Sequence, residues 1–136
     1  YAGRAGVRIG FEPEPGMYID TVFGYARLRD AVQRPELGLA LDIGHLLVTG
    51  ECTVPVALRE FAPDIVSLAI EDMARGVHRH LPFGEGDLDL PETFAAISGM
   101  GYAGPLVVEL PRESADAVLV ARRSFEVLAR FAAPRP

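Results

Sequence analysis

The sequence predicts an α/β fold built of parallel strands, each followed by a helix. Three observations lead there. Four short apolar runs recur along the 136 residues, each ends on or beside an acid, and segments with helical spacing of apolar residues separate them. The composition, 49% hydrophobic and 24% charged, is that of a packed domain and not of a disordered chain. The length suits one domain or a piece of a larger one.

The first run is Val7-Arg8-Ile9-Gly10-Phe11, ending at Glu12. The second is Leu37-Gly38-Leu39-Ala40-Leu41, ending at Asp42. The third is Ile65-Val66-Ser67-Leu68-Ala69-Ile70, ending at Glu71 and Asp72, and the fourth is Leu106-Val107-Val108, ending at Glu109. Short runs with this β-branched content suit buried strands. Between the first two, residues 18–33 place Ile19, Val22, Phe23 and Ala26 on one helical face, and Arg34-Pro35 stops that helix. Thr53 caps a second helix carrying Val56, Leu58 and Phe61, which ends near Pro63. Pro91 suits the first turn of a third, with Phe94, Ala95 and Ile97, closed by Gly99 or Gly101. Ser114 caps the last, where Val118, Ala121, Phe125, Leu128 and Ala129 repeat on one side, and Ala133-Pro134-Arg135-Pro136 is a stop. Alternation of this kind means right-handed crossovers between parallel strands. A doubly wound open sheet and half of an eight-stranded barrel both satisfy it, and in both the chemistry gathers at the strand C-termini.

Charge and composition remove several function classes. Thirteen Arg and no Lys stand against 19 Asp and Glu, a net charge of −6 at pH 7, which argues against a nucleic-acid surface. Without Lys there is no Schiff-base or P-loop chemistry in this chain. The single Cys52 excludes an intramolecular disulfide and argues against a Cys-based zinc site. No apolar run is long enough for a membrane span and no signal-peptide pattern is visible, so no membrane partner and a cytoplasmic location are expected.

Glu12, Asp42 and Glu109 each follow directly on a strand, so a parallel sheet would set them on one rim. Converging carboxylates repel unless protons or a cation compensate them. Oxygen ligands favour Mg²⁺ or Mn²⁺, with Zn²⁺ or Co²⁺ open if an imidazole joins. His45, three residues after Asp42, shares that rim as a substrate hydrogen-bonding group. Glu12 continues the first strand and is the inward acid of Glu12-Pro13-Glu14-Pro15-Gly16, with Glu14 at the surface or behind it. The longest connection, residues 71–87, is rich in charge, His and Gly; His78 and His80 alternate and would face one way in an extended segment. Gly84 and Gly86 flank Glu85 without the strand and helix that a phosphate-binding loop requires.

Several of these segments together resemble the sugar phosphate isomerase/epimerase family, of the xylose isomerase-like TIM-barrel superfamily. They are Phe11-Glu12-Pro13-Glu14-Pro15-Gly16, Leu41-Asp42-Ile43-Gly44-His45, Ile70-Glu71-Asp72-Met73, His78-Arg79-His80-Leu81-Pro82-Phe83-Gly84-Glu85-Gly86 and the stretch from Gly101 to Leu110. The resemblance implies a (βα)4 half of a TIM barrel, residues 1–136 being its C-terminal half, strands 5 to 8. It implies a divalent metal held by Glu12, Asp42 and Glu109, with Glu12 and Glu109 also acting as the acid/base pair. His45 and Arg75 match substrate-contacting positions. The implied reaction is proton transfer alpha to the carbonyl of a sugar or sugar phosphate, through an enediolate. One element departs from the family: the strand-7 His ligand is replaced by Ala69, whose methyl cannot ligate. His78, His80 or water would then fill that position. The same departure opens a second reading, a metal- or sugar-binding remnant without turnover. Endonuclease IV-like activity is disfavoured by the net charge and by too few His and Asp for a trinuclear zinc cluster.

Four βα units cannot close a barrel, since an open sheet exposes two edges. With barrels running at about 250 residues, the expectation is a fragment of a chain of roughly twice this length. The alternatives are two copies pairing, or a small open domain.

Overall fold

A computed structural model describes residues 1–131; the expected stop at 133–136 lies outside the described residues. Four strands, β1 (Ile9–Phe11), β2 (Leu37–Asp42), β3 (Ile65–Ile70) and β4 (Leu106–Val108), form one sheet in the order β1-β2-β3-β4, and every pairing is parallel. Five helices alternate with them: α1 (Val22–Val32), α2 (Ile43–Thr49), α3 (Val54–Phe61), α4 (Leu90–Gly99) and α5 (Ala117–Leu128). This is the sequential βα order expected from the sequence, with half the strands of an eight-stranded barrel.

The strands alternate two faces. Leu39 and Leu41 of β2 and Leu68 and Ile70 of β3 are buried against the helices, which contribute Val22, Tyr25, Leu46, Leu58, Phe61 and Ile97 to the same core. The opposite face carries Asp42, Ala69 and Val107, which follow one another across the sheet in register. Val107 is half exposed, so this second face is open. A barrel interior lies on that side when eight strands close.

The helices depart from the sequence expectation in informative ways. The first begins at Val22 rather than at residue 18; Thr21 caps it by accepting the Gly24 N–H at 3.0 Å, and Gln33 ends it with φ 49°. Two further N–H groups, of Val22 and Phe23, donate to the Glu51 carboxylate from beyond α2. Thr53 sits at the N-cap of α3, but its side chain makes no capping bond. In α4 Asp89 caps the helix through the Glu92 N–H and Pro91 lies in the first turn. Ser114 does not cap the last helix: it lies inside a 3-10 segment, Pro111–Asp116, and α5 starts after it. The apolar face expected there is largely uncovered, with Val118 79% and Phe125 72% exposed while Ser124 is buried. Pairing that face with a core is what would have hidden it, and the sheet here supplies none beyond β4. Among the described residues no helix is long and apolar enough to cross a membrane.

Candidate metal centre and sugar site

All four strands point the same way, so the residues that close them arrive at one rim. Asp42 is the last residue of β2 and Glu12, Glu71 and Glu109 directly follow β1, β3 and β4. One carboxylate oxygen each from Glu12, Asp42 and Glu109 lies within 4.8 Å of the other two. The sequence predicted that trio, and the sheet brings it together. Asp42 is buried while Glu12 and Glu109 are exposed. Although the residue is exposed as a whole, its carboxyl is partly enclosed, and this first, then the Asp42 and Glu109 charges, pushes it above its usual value.

Asp42 also organises the residues after it. Its Oδ1 accepts the His45 N–H at 3.2 Å and so caps α2, a helix that the apolar-run reading of this segment did not include. That cap fixes one carboxylate oxygen and leaves Oδ2 buried without a partner. A buried carboxylate oxygen left in this state, beside two further carboxylates, is a donor set that fits a hard divalent cation.

His45 is buried, and its Nδ1 lies 3.1 Å from the Pro13 carbonyl oxygen, which can only accept. The proton therefore sits on Nδ1. Its Nε2 has no hydrogen-bond partner and lies 3.5 Å from Asp42 Oδ2 and 3.9 Å from Glu14 Oε2. Glu14, expected at the surface or behind the site, is half-buried and also meets His78 Nε2 at 3.4 Å.

Arg75 goes elsewhere. It is exposed and borders a separate cavity with Leu46, Leu47, Val54, Asp89 and Thr93, a wall that includes none of the three acids. Its own N–H donates to Asp87 at 2.8 Å, which helps fold the loop back.

Two acids of the long loop carry more than their sequence reading assigned. Glu71 is fully buried, both its oxygens lack partners, and it lies in a group with Asp42 and His80 whose ligand atoms are within 4.8 Å of one another. Burial first and the Asp42 charge second push its carboxyl up to about 10. Glu71 follows its strand just as Glu12 and Glu109 follow theirs, so the rule that found them would have found it. Gly44 makes room for it: a Cβ there would overlap Glu71 Oε1. Asp72 is structural. Its two oxygens accept the N–H groups of Gly84 and Leu88 at 2.8 and 2.9 Å, and its backbone bridges Leu81. Gly84 and Gly86 thus shape the loop: Gly84 takes φ 92° and a Cβ at Gly86 would strike Asp72.

Position 69 stands in register with Asp42, on the open face. Of the three imidazoles, that of His80 groups with Asp42 and Glu71, its Nδ1 lying 3.2 Å from the Glu109 carbonyl and 3.8 Å from Glu71 Oε1.

Known proteins share this fold. An L-ribulose-5-phosphate 3-epimerase, UlaE, from Salmonella paratyphi C (strain RKS4594) is 34% identical over 116 residues, 84% of this chain but 39% of that protein. The chain thus spans well under half the length of the curated relatives it matches. Among solved structures, a xylose isomerase domain protein from Planctomyces limnophilus superposes with a TM-score of 0.78 at 21% identity, over 96% of this chain and 48% of that one. The IOLI protein, solved with a zinc atom, gives 0.77 at 22% identity, over 97% of this chain and 52% of that one. The sequence model of the xylose isomerase-like TIM barrel family matches residues 1–131, and the chain belongs to that family.

Proposed function

We propose that this chain carries half of the active site of a metal-dependent sugar or sugar phosphate epimerase or isomerase. The observation that carries the reading is the convergence of Glu12, Asp42 and Glu109 around a buried, unpartnered Asp42 oxygen. Those three residues would hold the ion, Mn²⁺ or Mg²⁺ by the hardness of the ligands, with Zn²⁺ or Co²⁺ admitted if an imidazole joins. Once bound, such an ion supplies Lewis-acid polarisation of a substrate carbonyl.

The chain's own groups do the rest. Glu12, with its raised proton affinity, takes the proton alpha to the carbonyl, and Glu109 returns one. Return to the opposite face epimerises the carbon; return to its neighbour isomerises the sugar. His45, fixed by Pro13, offers Nε2 as an acceptor to a substrate hydroxyl. Arg75 would bind an anionic group of the substrate only if its loop swings toward the rim, since it borders another cavity.

We also propose that this is the strand 5–8 half of the barrel and that the working site needs the other four strands. Supporting this are the two open sheet edges, the uncovered apolar side chains of Ile9, Val118 and Phe125, and the share of each relative that the chain spans.

Proton exchange tests the reading. The chain, joined to or mixed with a strand 1–4 half-barrel of the same family, is incubated with L-ribulose 5-phosphate and Mn²⁺ in D2O, and loss of the proton next to the carbonyl is followed by NMR. Exchange that Glu12→Gln and Glu109→Gln each lower by about 100-fold or more supports it. Ala69 favours a second reading, a binding remnant: saturable metal and sugar binding with no exchange is its signature.

A further inference from the structure

Away from the rim of acids, a cavity of about 230 Å³ opens between the turn that joins α2 to α3, the loop after β3 and the first turn of α4. None of Glu12, Asp42 and Glu109 lines it. Leu46, Leu47 and Leu88 give it an apolar wall. The rest is polar, and its polar groups have bonds left to make. Thr93 lines the cavity while only 1% exposed, and its hydroxyl makes no hydrogen bond among the described residues. A buried hydroxyl without a partner costs free energy that a bound donor or acceptor recovers. Thr53 stands at the N-cap of α3 without a capping bond, so its hydroxyl is free as well.

Charged groups complete the wall. Asp89 Oδ1 accepts the Glu92 N–H and Asp87 Oδ2 accepts the Arg75 N–H, which leaves the other oxygen of each. Neither the Glu92 carboxylate nor the Arg75 guanidinium forms an ion pair among the described residues. Three carboxylates, of Asp87, Asp89 and Glu92, against the one guanidinium of Arg75 give the wall a net charge of −2, which repels an anion. The guanidinium in the same wall opposes a simple cation. A carboxylate only accepts hydrogen bonds and a guanidinium only donates them, whereas a hydroxyl does both. Adjacent hydroxyls of one molecule can therefore donate to Asp89 or Glu92 and accept from Arg75, while its C–H face lies on the leucines.

We propose that this cavity is a second carbohydrate site, which takes a neutral, unphosphorylated polyol the size of a pentitol. Its volume lies just below the range of roughly 300–1,000 Å³ that drug-sized ligands occupy, as suits a smaller molecule. The site sorts a free polyol from its phosphate ester, the opposite of the preference that an isolated guanidinium would show. Occupancy would brace the α2–α3 turn against α4 and the loop after β3. That helix α2 carries His45 and the loop carries His78 and His80, so a bound polyol would steady side chains that face the rim. The cavity is built within this chain and does not depend on the trio of acids.

The test is a titration of the isotope-labelled full chain in chelator, followed by its amide NMR spectrum, with ribitol, ribitol 5-phosphate and n-butylamine as probes. Chelator keeps metal off the rim, so the outcome does not depend on the rim acids. If the chain does not melt cooperatively alone, it is completed with a strand 1–4 half-barrel of the same family. The expected result is saturable ribitol shifts at residues 46–54 and 87–93. Thr93→Val and Glu92→Gln should each weaken ribitol binding by about tenfold or more, and ribitol 5-phosphate should bind about tenfold or more weakly than ribitol. Glu92→Gln, an exposed substitution, carries the test if Thr93→Val does not fold. Ribitol shifts that are absent, that fall around Glu12, Asp42 and Glu109 instead, or that persist at unchanged affinity in either folded variant overturn the proposal. So does tighter binding of the phosphate ester, which would make Arg75 the anchor of an anion site, or of n-butylamine, which would make the acids a cation site. Ribitol held here with no Mn²⁺ binding at the rim would leave this site standing and sink the carboxylate reading instead.

Discussion

Glu71 and Ala69 are neighbours but one in the sequence, and they set opposite conditions on the rim. Glu71 brings a carboxyl into a fully buried position with no hydrogen-bond partner. Its folded-state proton affinity is raised from 4.5 to about 10, so between those values the folded chain holds a proton that the unfolded chain has released. Stability from this group is complete below the unfolded value and falls as pH rises toward the folded one. In chelator, the melting temperature should therefore fall between about pH 5 and about pH 8, and Glu71→Gln should flatten that slope and raise the pH 8 value. A slope unchanged by the substitution would place the lost stability elsewhere. Ala69, in register with Asp42 on the same sheet face, offers no ligand atom there. Ala69→His, in register with Asp42, should raise Mn²⁺ affinity by about tenfold or more, measured by calorimetry. The positions of Glu12, Asp42 and Glu109 were legible because a strand's end is visible as the end of an apolar run. The gathering of His45 with His78 and His80 was not. It depends on where a 17-residue loop folds back, and no periodicity records that.

At the scale of elements, the four strands and four of the five helices could be read from apolar spacing, Pro and Gly. The fifth, α2, escaped because Asp42 was read as a strand-end acid alone, whereas it is also a cap for the seven residues that follow. One side chain closes a strand, starts a helix and faces the candidate ion, so no single pattern describes it. The loop after β3 escaped for another reason: its order comes from scattered hydrogen bonds, two of them to the buried Asp72 carboxylate. Asp72→Asn turns an amide NH2 toward the Gly84 or Leu88 N–H and leaves one donor unmatched, at a cost of about 1–3 kcal/mol. Hydrogen exchange should show faster exchange across residues 81–88, with β2 and β3 protected as before. Loss of protection throughout would mean that Asp72 supports the fold and not only its loop. By contrast Leu68, fully buried in β3, should cost about 2–5 kcal/mol as Leu68→Ala in chemical denaturation, across the whole domain.

At the scale of the molecule, several of the exposed apolar side chains lie at the two ends of the sheet order. Val7 and Ile9 stand at the β1 edge; Val107, Val118 and Phe125 stand at the β4 side. These are the surfaces that a closed barrel would cover. The isolated chain should therefore associate, and Phe125→Glu should weaken that association by about tenfold or more, since burying such a side chain contributes about 1.5–3 kcal/mol. Sedimentation velocity reads this directly; a monomer at all concentrations would contradict it. The measurement that bears most directly on the central claim, a divalent ion held by the rim carboxylates, is a thermal-shift titration with Mn²⁺. The chain would be run beside Glu109→Gln and Ala69→His. The account predicts stabilisation of the chain by Mn²⁺, its loss in Glu109→Gln and its increase in Ala69→His. Cooperative melts indifferent to Mn²⁺ in all three proteins would contradict it.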